Sequence, residues 1–453
     1  MLVAARPAAA ADAKPGVPSL PPAWNVTTAE PAAAEADPAA LARWWEVLND
    51  PLLAELERRA VSGSLDLRAA EARLREALAR RGAAKAERRP TVGVSGQASR
   101  TDTPEADGRR YSLGATASWE VDLFGRLRNA QRAAAASAEA SEEALRDARV
   151  SLAAEVALAY LDVRVGQKRL ATAEANIGVL DETLDIARWR HEAGLVTELD
   201  VEQARLLVSQ ARAALPSLRA GLEQAENRVA VLLGQAPGAL DAELEAPSEL
   251  PQAPLAVAAG VPADLLRRRP DVRRAERELA AQVFRVTSAK ASRWPQLSLG
   301  GSIGLESLAA GNLLSTAARV VTGSLGLAGA LFDFGRVRQQ VAIHGALQEQ
   351  AAIAYEAAVL GAVQEVENAL VALVEEEARR RSLAEAATLA RSAADLAGTR
   401  YRAGLVDFQV VLEAQRSLLS VDDQLVSSQG NVASDLVRLY RALGGGWTPG
   451  GAA

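Results

Sequence analysis

The chain has 453 residues, 49% of them hydrophobic, 24% charged and only 4% aromatic, with a formal net charge of −6 and no cysteine. This is the balance of a folded protein, and an acidic charge without a basic block gives nucleic-acid binding no electrostatic support. The missing thiol excludes disulfides, thiolate metal sites, cysteine catalysis and lipid attachment through cysteine, and the two histidines, His191 and His344, lie in different parts of the chain and read as solvated helix positions.

Residues 1–13 are small and apolar but interrupted by Arg6. They match a signal peptide poorly, because it needs an apolar core of ~7–15 residues. Either the start is truncated or the chain is close to a mature one. Prolines cluster between Pro7 and Pro51 and again between Pro237 and Pro270, whereas none falls between Pro104 and Pro216 or between Pro295 and Pro449. An interior proline costs a helix roughly 3 kcal/mol, so the two gaps permit very long helices. No charge-free apolar run approaches the ~18–20 residues of a membrane helix. Any bilayer crossing must therefore be made by a β-barrel.

In chain order, residues 1–50 read as an irregular segment. Residues 51–234 read as a first repeat: a helix, a strand pair over 91–121, a long helix over 126–192 and a helix over 197–234. A linker spans 235–262. The second repeat spans 263–444, with a helix, a strand pair over 296–331, a long helix over 336–402 and a helix over 407–443; residues 445–453 form a tail. Val359, Val363, Val366, Leu370 and Leu373 step at the 3.5-residue period of a coiled-coil seam, and Leu145, Leu152, Val156 and Val163 fit the same frame. A helix over 126–191 would run on the order of 100 Å at ~1.5 Å per residue.

The duplication is explicit. Phe124-Gly125-Arg126 recurs as Phe334-Gly335-Arg336, and Ala193-Gly194-Leu195-Val196 recurs as Ala403-Gly404-Leu405-Val406. Glu155-Val156 matches Glu365-Val366, and Leu233-Gly234 matches Leu443-Gly444, all at one common offset. Upstream, Asp66, Glu71 and Pro90 match Asp271, Glu276 and Pro295 at a slightly shorter offset, so the turn between the strands differs in length. This is a doubled unit rather than a short-period solenoid.

The strand pairs alternate with period two. Leu113, Ala115, Ala117, Trp119 and Val121 interleave with Ser112, Gly114, Thr116, Ser118 and Glu120; Leu297, Leu299, Ile303 and Leu305 interleave with Ser298, Gly300, Ser302, Gly304 and Glu306. Segments of ~10 residues with one apolar and one small or polar face suit a lipid-facing barrel. A solvated antiparallel sheet alternates in the same way. Four strands cannot close around a lumen, since about eight is the practical minimum, and open edges are forbidden in a membrane. A barrel-forming chain of this kind must share its barrel with other copies.

The segment Val261-Pro-Ala-Asp-Leu-Leu-Arg-Arg-Arg-Pro-Asp-Val-Arg-Arg-Ala-Glu276 closely resembles the signature of OprM/NodT-type outer-membrane efflux proteins of the TolC-like family. Asn49-Asp50-Pro51, Asp122-Leu-Phe-Gly-Arg126 and the Gly194-Leu195-Val196 and Gly404-Leu405-Val406 tips resemble the family too, so the likeness spans about residues 40–445. It implies a mainly α protein with a small β part. Four strands per chain would enter a twelve-stranded trimeric transmembrane barrel, above a periplasmic tunnel of twelve coiled-coil-like helices and a mixed equatorial region. The implied function is passive outer-membrane conduction of drugs or metals in a tripartite pump. Its implied partners are a periplasmic adaptor, an inner-membrane resistance-nodulation-division transporter and outer-membrane lipid, with no cofactor and no enzymatic chemistry.

Gly194 and Gly404 sit where each long helix should reverse, since glycine takes the left-handed conformation without steric cost. The resemblance assigns adaptor docking to these tips, with Arg190, Ala193, Gly194, Leu195, Val196, Arg400, Ala403, Gly404, Leu405 and Val406 as contacts. It places a periplasmic gate at Asp200 and Tyr401, an Asp–Tyr pair tying helices together, and at Glu413, an acidic ring residue; solvated helix positions are the alternative for Asp200 and Glu413. Val410 stands where TolC has a second aspartate, and the lipidated N-terminal cysteine of many relatives has no counterpart here. Trp119 suits either an interfacial aromatic girdle or packing on the equatorial region, and Trp44 and Trp45 suit anchoring of the N-terminal segment. The competing functions are a type I protein-secretion channel and a soluble periplasmic coiled-coil adaptor or scaffold.

Overall fold

The structure is a computed structural model and describes Trp24 and residues 38–103, 106–246, 248–251 and 268–447. Most of residues 1–37, much of the 235–262 linker, the first part of the Val261–Glu276 signature and the end of the tail lie outside the described residues. The principal elements are α1 (Pro51–Gly63), α2 (Leu65–Ala86), β1 (Thr91–Thr103), β2 (Ala106–Val121), α3 (Arg126–Glu192) and α4 (Glu198–Leu232). They are followed by α5 (Pro270–Ala291), β3 (Gln296–Ser307), β4 (Arg319–Ala328), α6 (Arg336–Arg402) and α7 (Phe408–Ala442). Helices α3 and α6 have 67 residues each, α4 and α7 have 35 each, and α2 and α5 have 22 each, so the duplication is one of elements as well as letters.

Close contacts group the chain across its repeats rather than along them. One compact unit holds Ala70–Ala144 and Asp271–Val359 among its described residues. Another holds the described parts of 19–69, Leu145–Pro270 and Leu360–Ala453.

The first unit contains the sheet. All four strands are antiparallel neighbours in the order β1-β2-β3-β4, the β2-to-β3 connection being made by the intervening helices. Residues directly opposite one another share a face of an antiparallel sheet, and the register puts like with like. Val94 faces Ala115, Ala115 faces Ile303 and Ile303 faces Val321; Trp119 faces Leu299 and Leu299 faces Leu325. The opposite face carries Gly93, Thr116, Ser302 and Thr322 in one row and Ser95, Gly114, Gly304 and Val320 in another, so Val320 is an apolar exception there. Nothing among the described residues covers the apolar face: Val94 is 86% and Leu325 72% exposed. On the polar face Ser302 and Thr322 share a hydroxyl hydrogen bond of 2.6 Å. A Cβ built at Gly304 would meet the Leu113 carbonyl oxygen at 2.7 Å and Gly114 Cα at 2.9 Å, so that face needs glycine for the strands to pair.

The helix starts below the strands are fixed by aspartate. The Asp122 carboxylate accepts the backbone N–H groups of Leu127 and Arg128, and Asp333 accepts those of Gly335 and Val337, satisfying donors a helix leaves open at its N-terminus. Those two backbone donors, ahead of the neighbouring Arg336, hold the Asp333 carboxyl below the usual carboxylate range. This is the physical content of the repeated Phe-Gly-Arg motif, with Gly125 and Gly335 at φ +80° and +87°. Trp119 donates its indole N–H to the Arg88 carbonyl at 3.0 Å, and Phe124 stacks on Trp294 with ring centroids 5.3 Å apart.

In the second unit α1, α4, α7 and parts of α3 and α6 share a core containing Leu56, Tyr160, Leu161, Val229, Leu373 and Leu436. Gly430 lies against Val165, and Gly166 against Leu222, so small residues let α7 and α4 approach α3 closely. Trp44, 1% exposed, stacks on Tyr440 at 5.4 Å and meets Trp45 edge-on at 5.8 Å, which anchors the residues ahead of α1 to α7. One 18-residue window of α6 reaches a mean hydropathy of 1.5, yet only a third of it is buried within the chain. Ile353, Leu360 and Val371 of that helix stand exposed.

Candidate functional site

The turn after α3 and the turn after α6 are built alike. Gly194 (φ +69°) donates to the His191 carbonyl and Leu195 to the Arg190 carbonyl, both at 2.8 Å. Gly404 (φ +74°) donates to Tyr401 and Leu405 to Arg400, both at 2.9 Å. This pair of bonds is the Schellman closure of a helix, and it needs a residue at positive φ. Each turn then presents one apolar knob: Leu195 is 66% and Leu405 74% exposed, beside exposed Ala193, Gly194, Ala403 and Gly404. Val196 and Val406 are half-buried and pack on the core behind them.

That core draws on four helices: Leu184 and Ala187 from α3, Val201 and Leu207 from α4, Tyr401 from α6, and Phe408 and Leu412 from α7. The two hairpin tips are therefore one packed body within the chain. Polar links tie it together above the tips. Arg212 of α4 grips Asp181 of α3 at 3.0 and 2.7 Å, Gln415 of α7 donates to Thr183 of α3 at 2.6 Å, and Arg391 of α6 pairs with Asp422 of α7 at 3.1 Å.

Arg190 does more than lie at the turn. Its Nη1 donates to the Tyr401 carbonyl and, at 3.3 Å, to the Arg402 carbonyl, while its guanidinium carbon sits 4.5 Å from the centre of the Tyr401 ring. The first hairpin thus caps the end of the second hairpin's long helix, where the helix dipole leaves partial negative charge. Tyr401 is 3% exposed, and its ring meets Phe408 at 5.2 Å. Burial pushes its hydroxyl up from the ordinary value, the Arg190 charge opposes that shift and the Asp200 carboxylate adds to it.

Asp200 and Tyr401 lie near enough to feel each other but share no hydrogen bond: the Tyr401 hydroxyl has no partner. Asp200 Oδ2 instead accepts the Thr197 backbone N–H and hydroxyl, each at 2.9 Å, in a capping arrangement that starts α4. The Thr-x-x-Asp spacing that announces this cap is legible in the sequence. Glu413 is exposed on α7, directly after the buried Val411–Leu412 pair. Arg400, in the place of the second repeat that Arg190 holds in the first, is exposed.

The signature residues turn out to be fasteners. Arg269, 8% exposed in its side chain, donates to the Ala442 carbonyl at 2.9 Å and pairs with Glu365 at 2.7 Å, tying the lead-in of α5 to α7 and α6. Arg273 meets the buried Glu143 at 2.6 Å in the sheet-bearing unit. Asp50 caps α1 at Leu52 and Leu53 and accepts from the Tyr160 hydroxyl, which itself accepts from Arg164 at 2.9 Å. Arg164 and Gln167 reach on to the Ala246 and Leu244 carbonyls, each at 2.6 Å, so one network holds both irregular segments to α3.

A sheet with one uncovered apolar face and an opposite face mainly of glycine and hydroxyl groups, in a chain that also forms paired long-helix hairpins, is the pattern of a membrane-channel protein. A family model described as outer membrane efflux protein matches residues 56–235 and 261–445. The pyoverdine export outer membrane protein OpmQ of Pseudomonas putida is 33% identical over 443 residues, covering 94% of this chain and 92% of the relative. The toluene efflux pump outer membrane protein TtgI of Pseudomonas putida is 32% identical over 425 residues, covering 90% and 88%. The solved structure of the outer-membrane channel OprN superposes with a TM-score of 0.87 at 36% identity, covering 94% of this chain and 99% of that one. The chain belongs to the outer membrane efflux protein family. It is an outer-membrane efflux channel with a TolC-like fold, and its work is conduction, not catalysis.

Proposed function

We propose that three copies of the chain pool their strands into one twelve-stranded barrel and their helices into a periplasmic tunnel, the passive exit duct of a tripartite efflux pump. The observation that carries this reading is the sheet: four strands, an uncovered apolar face, and two outer edges, on β1 and β4, paired on one side only. Unpaired backbone groups are not tolerated in lipid, and pairing β4 of one copy with β1 of the next removes every edge. The exposed apolar stripe on α6 fits burial between copies in the same assembly.

The exposed Leu195 and Leu405 knobs form the surface on which a periplasmic adaptor's helices seat, with Ala193, Gly194, Val196, Ala403, Gly404 and Val406 shaping the turns around them. An inner-membrane transporter, of the resistance-nodulation-division type, supplies the energy and most of the substrate choice. Arg190, engaged with Tyr401, holds the tips in shape rather than meeting the adaptor directly. Asp200, Tyr401 and Glu413 act at the periplasmic gate, where three copies of an exposed carboxylate such as Glu413 around the axis would favour cations over anions. The names of the relatives favour small-molecule efflux over protein secretion.

Gly404→Trp tests the docking surface. Tryptophan at φ +74° is strained, and its bulk would stand on the turn itself. The expected result is loss of efflux-dependent resistance with trimers still present on unheated gels. Wild-type resistance in that variant would remove the tips from adaptor docking.

A further inference from the structure

The two repeats place an arginine at the same point of their long helices, Arg190 and Arg400, and the residues that follow are His191-Glu192 in one and Tyr401-Arg402 in the other. Within the chain, Arg190 spans the gap between hairpins and takes the Tyr401 and Arg402 carbonyls at the end of α6. A planar guanidinium suits this role, because it offers several donors to closely spaced carbonyls while lying on a ring. Arg400 does not repeat the capture on the described residues of its own chain, where it stands exposed.

In a closed ring of copies each second repeat is followed by the first repeat of the next chain. We propose that Arg400 clasps the end of α3 on a neighbouring copy, its guanidinium reaching the backbone carbonyls of His191 and Glu192 there and the Glu192 carboxylate. This deepens the trimer reading and rests on it. Two further observations favour it. Where the contact inside one chain meets only the backbone carbonyl of Arg402, whose own side chain turns to Thr399, the contact between copies brings Arg400 to the acidic Glu192, which is exposed at the end of α3. Ile186 of the first repeat packs on the tip core, whereas its counterpart Leu396 in the second is 52% exposed, the apolar neighbour such a joint would cover.

The joints around the entrance then alternate in kind. Those within a chain are carbonyl captures alone, and those between chains add an ion pair. The joint between copies is the more sensitive to salt and to charge reversal.

Because the chain has no cysteine of its own, the contact can be tested by cross-linking in the full-length protein. Glu192→Cys with Arg400→Cys, oxidised in membranes, should give covalent dimers and trimers that reducing agent returns to monomers. Only monomers after oxidation, from a variant that still assembles, would overturn the proposal. In planar bilayers Arg400→Glu should raise single-channel conductance about twofold or more. Adding Glu192→Arg to Arg400→Glu should return it to the wild-type value, and failure of that exchange would also overturn the joint. Wild-type protein that forms no oligomer and no conductance would overturn the channel assembly itself, a result distinct from both.

Discussion

Glu57 lies on α1 at 2% exposure, and one of its carboxylate oxygens has no hydrogen-bond partner. Burial pushes its carboxyl well above the ordinary value of 4.5. A raised carboxyl holds its proton in the folded chain when the unfolded chain has lost it. The stability so gained is complete below pH 4.5 and fades as pH rises through the folded value. Glu57→Gln keeps the shape and removes the titration. Its expected effect is a gain in stability at pH 8, where the carboxyl must hold a proton the unfolded chain has lost or bury a charge, and little change at pH 5. Thermal unfolding followed at both pH values checks it; equal gains at both would show that titration is not the cause.

Two other residues at this scale carry the proposed gate. Tyr401 is held by packing and by Arg190, and Asp200 is busy with its helix cap, so neither side chain is spent on the other. Asp200→Ala combined with Tyr401→Phe loosens the start of α4 and removes the hydroxyl facing it. Single-channel conductance in planar bilayers should rise, and an unchanged value would remove the pair from gating. The sequence makes these residue types visible at the right distance from each tip glycine. The role of Arg190 is not visible there, because a contact 211 residues distant follows from how the hairpins pack.

Among the elements, the strands and long helices were the most legible. Alternation over residues 113–121 and 297–305 marks strands because a pleated chain turns successive side chains to opposite faces. The proline-free, alanine-rich stretches mark helices for an equally local reason. Alternation alone could not say which of two environments the apolar side met; the register aligned that side across all four strands, and the likeness to outer-membrane channels supplied the environment. The glycines of the opposite face have a reason the letters did not supply. Gly304→Val would drive a side chain into the β2 backbone, where even a Cβ meets Gly114 Cα at 2.9 Å. The expected outcome is a protein that reaches the membrane fraction poorly and gives little or no trimer on unheated gels. Normal trimer yield would mean that the sheet can open there at small cost. Pro216 is the local rule that failed to break anything: α4 runs through it, although an interior proline costs roughly 3 kcal/mol.

At the scale of the whole molecule, the repeat is the organising fact. Its three matched pairs of turns, at Gly125 and Gly335, Gly194 and Gly404, and Gly234 and Gly444, all take positive φ. Side-chain contacts nevertheless distinguish the two copies of the unit: Arg190 is engaged and Arg400 is exposed, Ile186 is packed and Leu396 is not. A duplicated chain that is alike in backbone and unlike in partners fits the proposed assembly of several copies.

The sequence by itself determined the duplication and the class of each element, because period, proline spacing and glycine demand are properties of neighbours along the chain. The membership in an efflux family was legible for the same reason, carried by the run from Val261 to Glu276 and the paired tips. Only the tertiary structure decided what those motifs are for. Arg269 and Arg273 turned out to fasten helices, Asp200 to cap α4 and Arg190 to reach the far hairpin. Each of those assignments depends on which groups distant in sequence come within hydrogen-bonding reach, and that distance is fixed by packing, not by spacing along the chain.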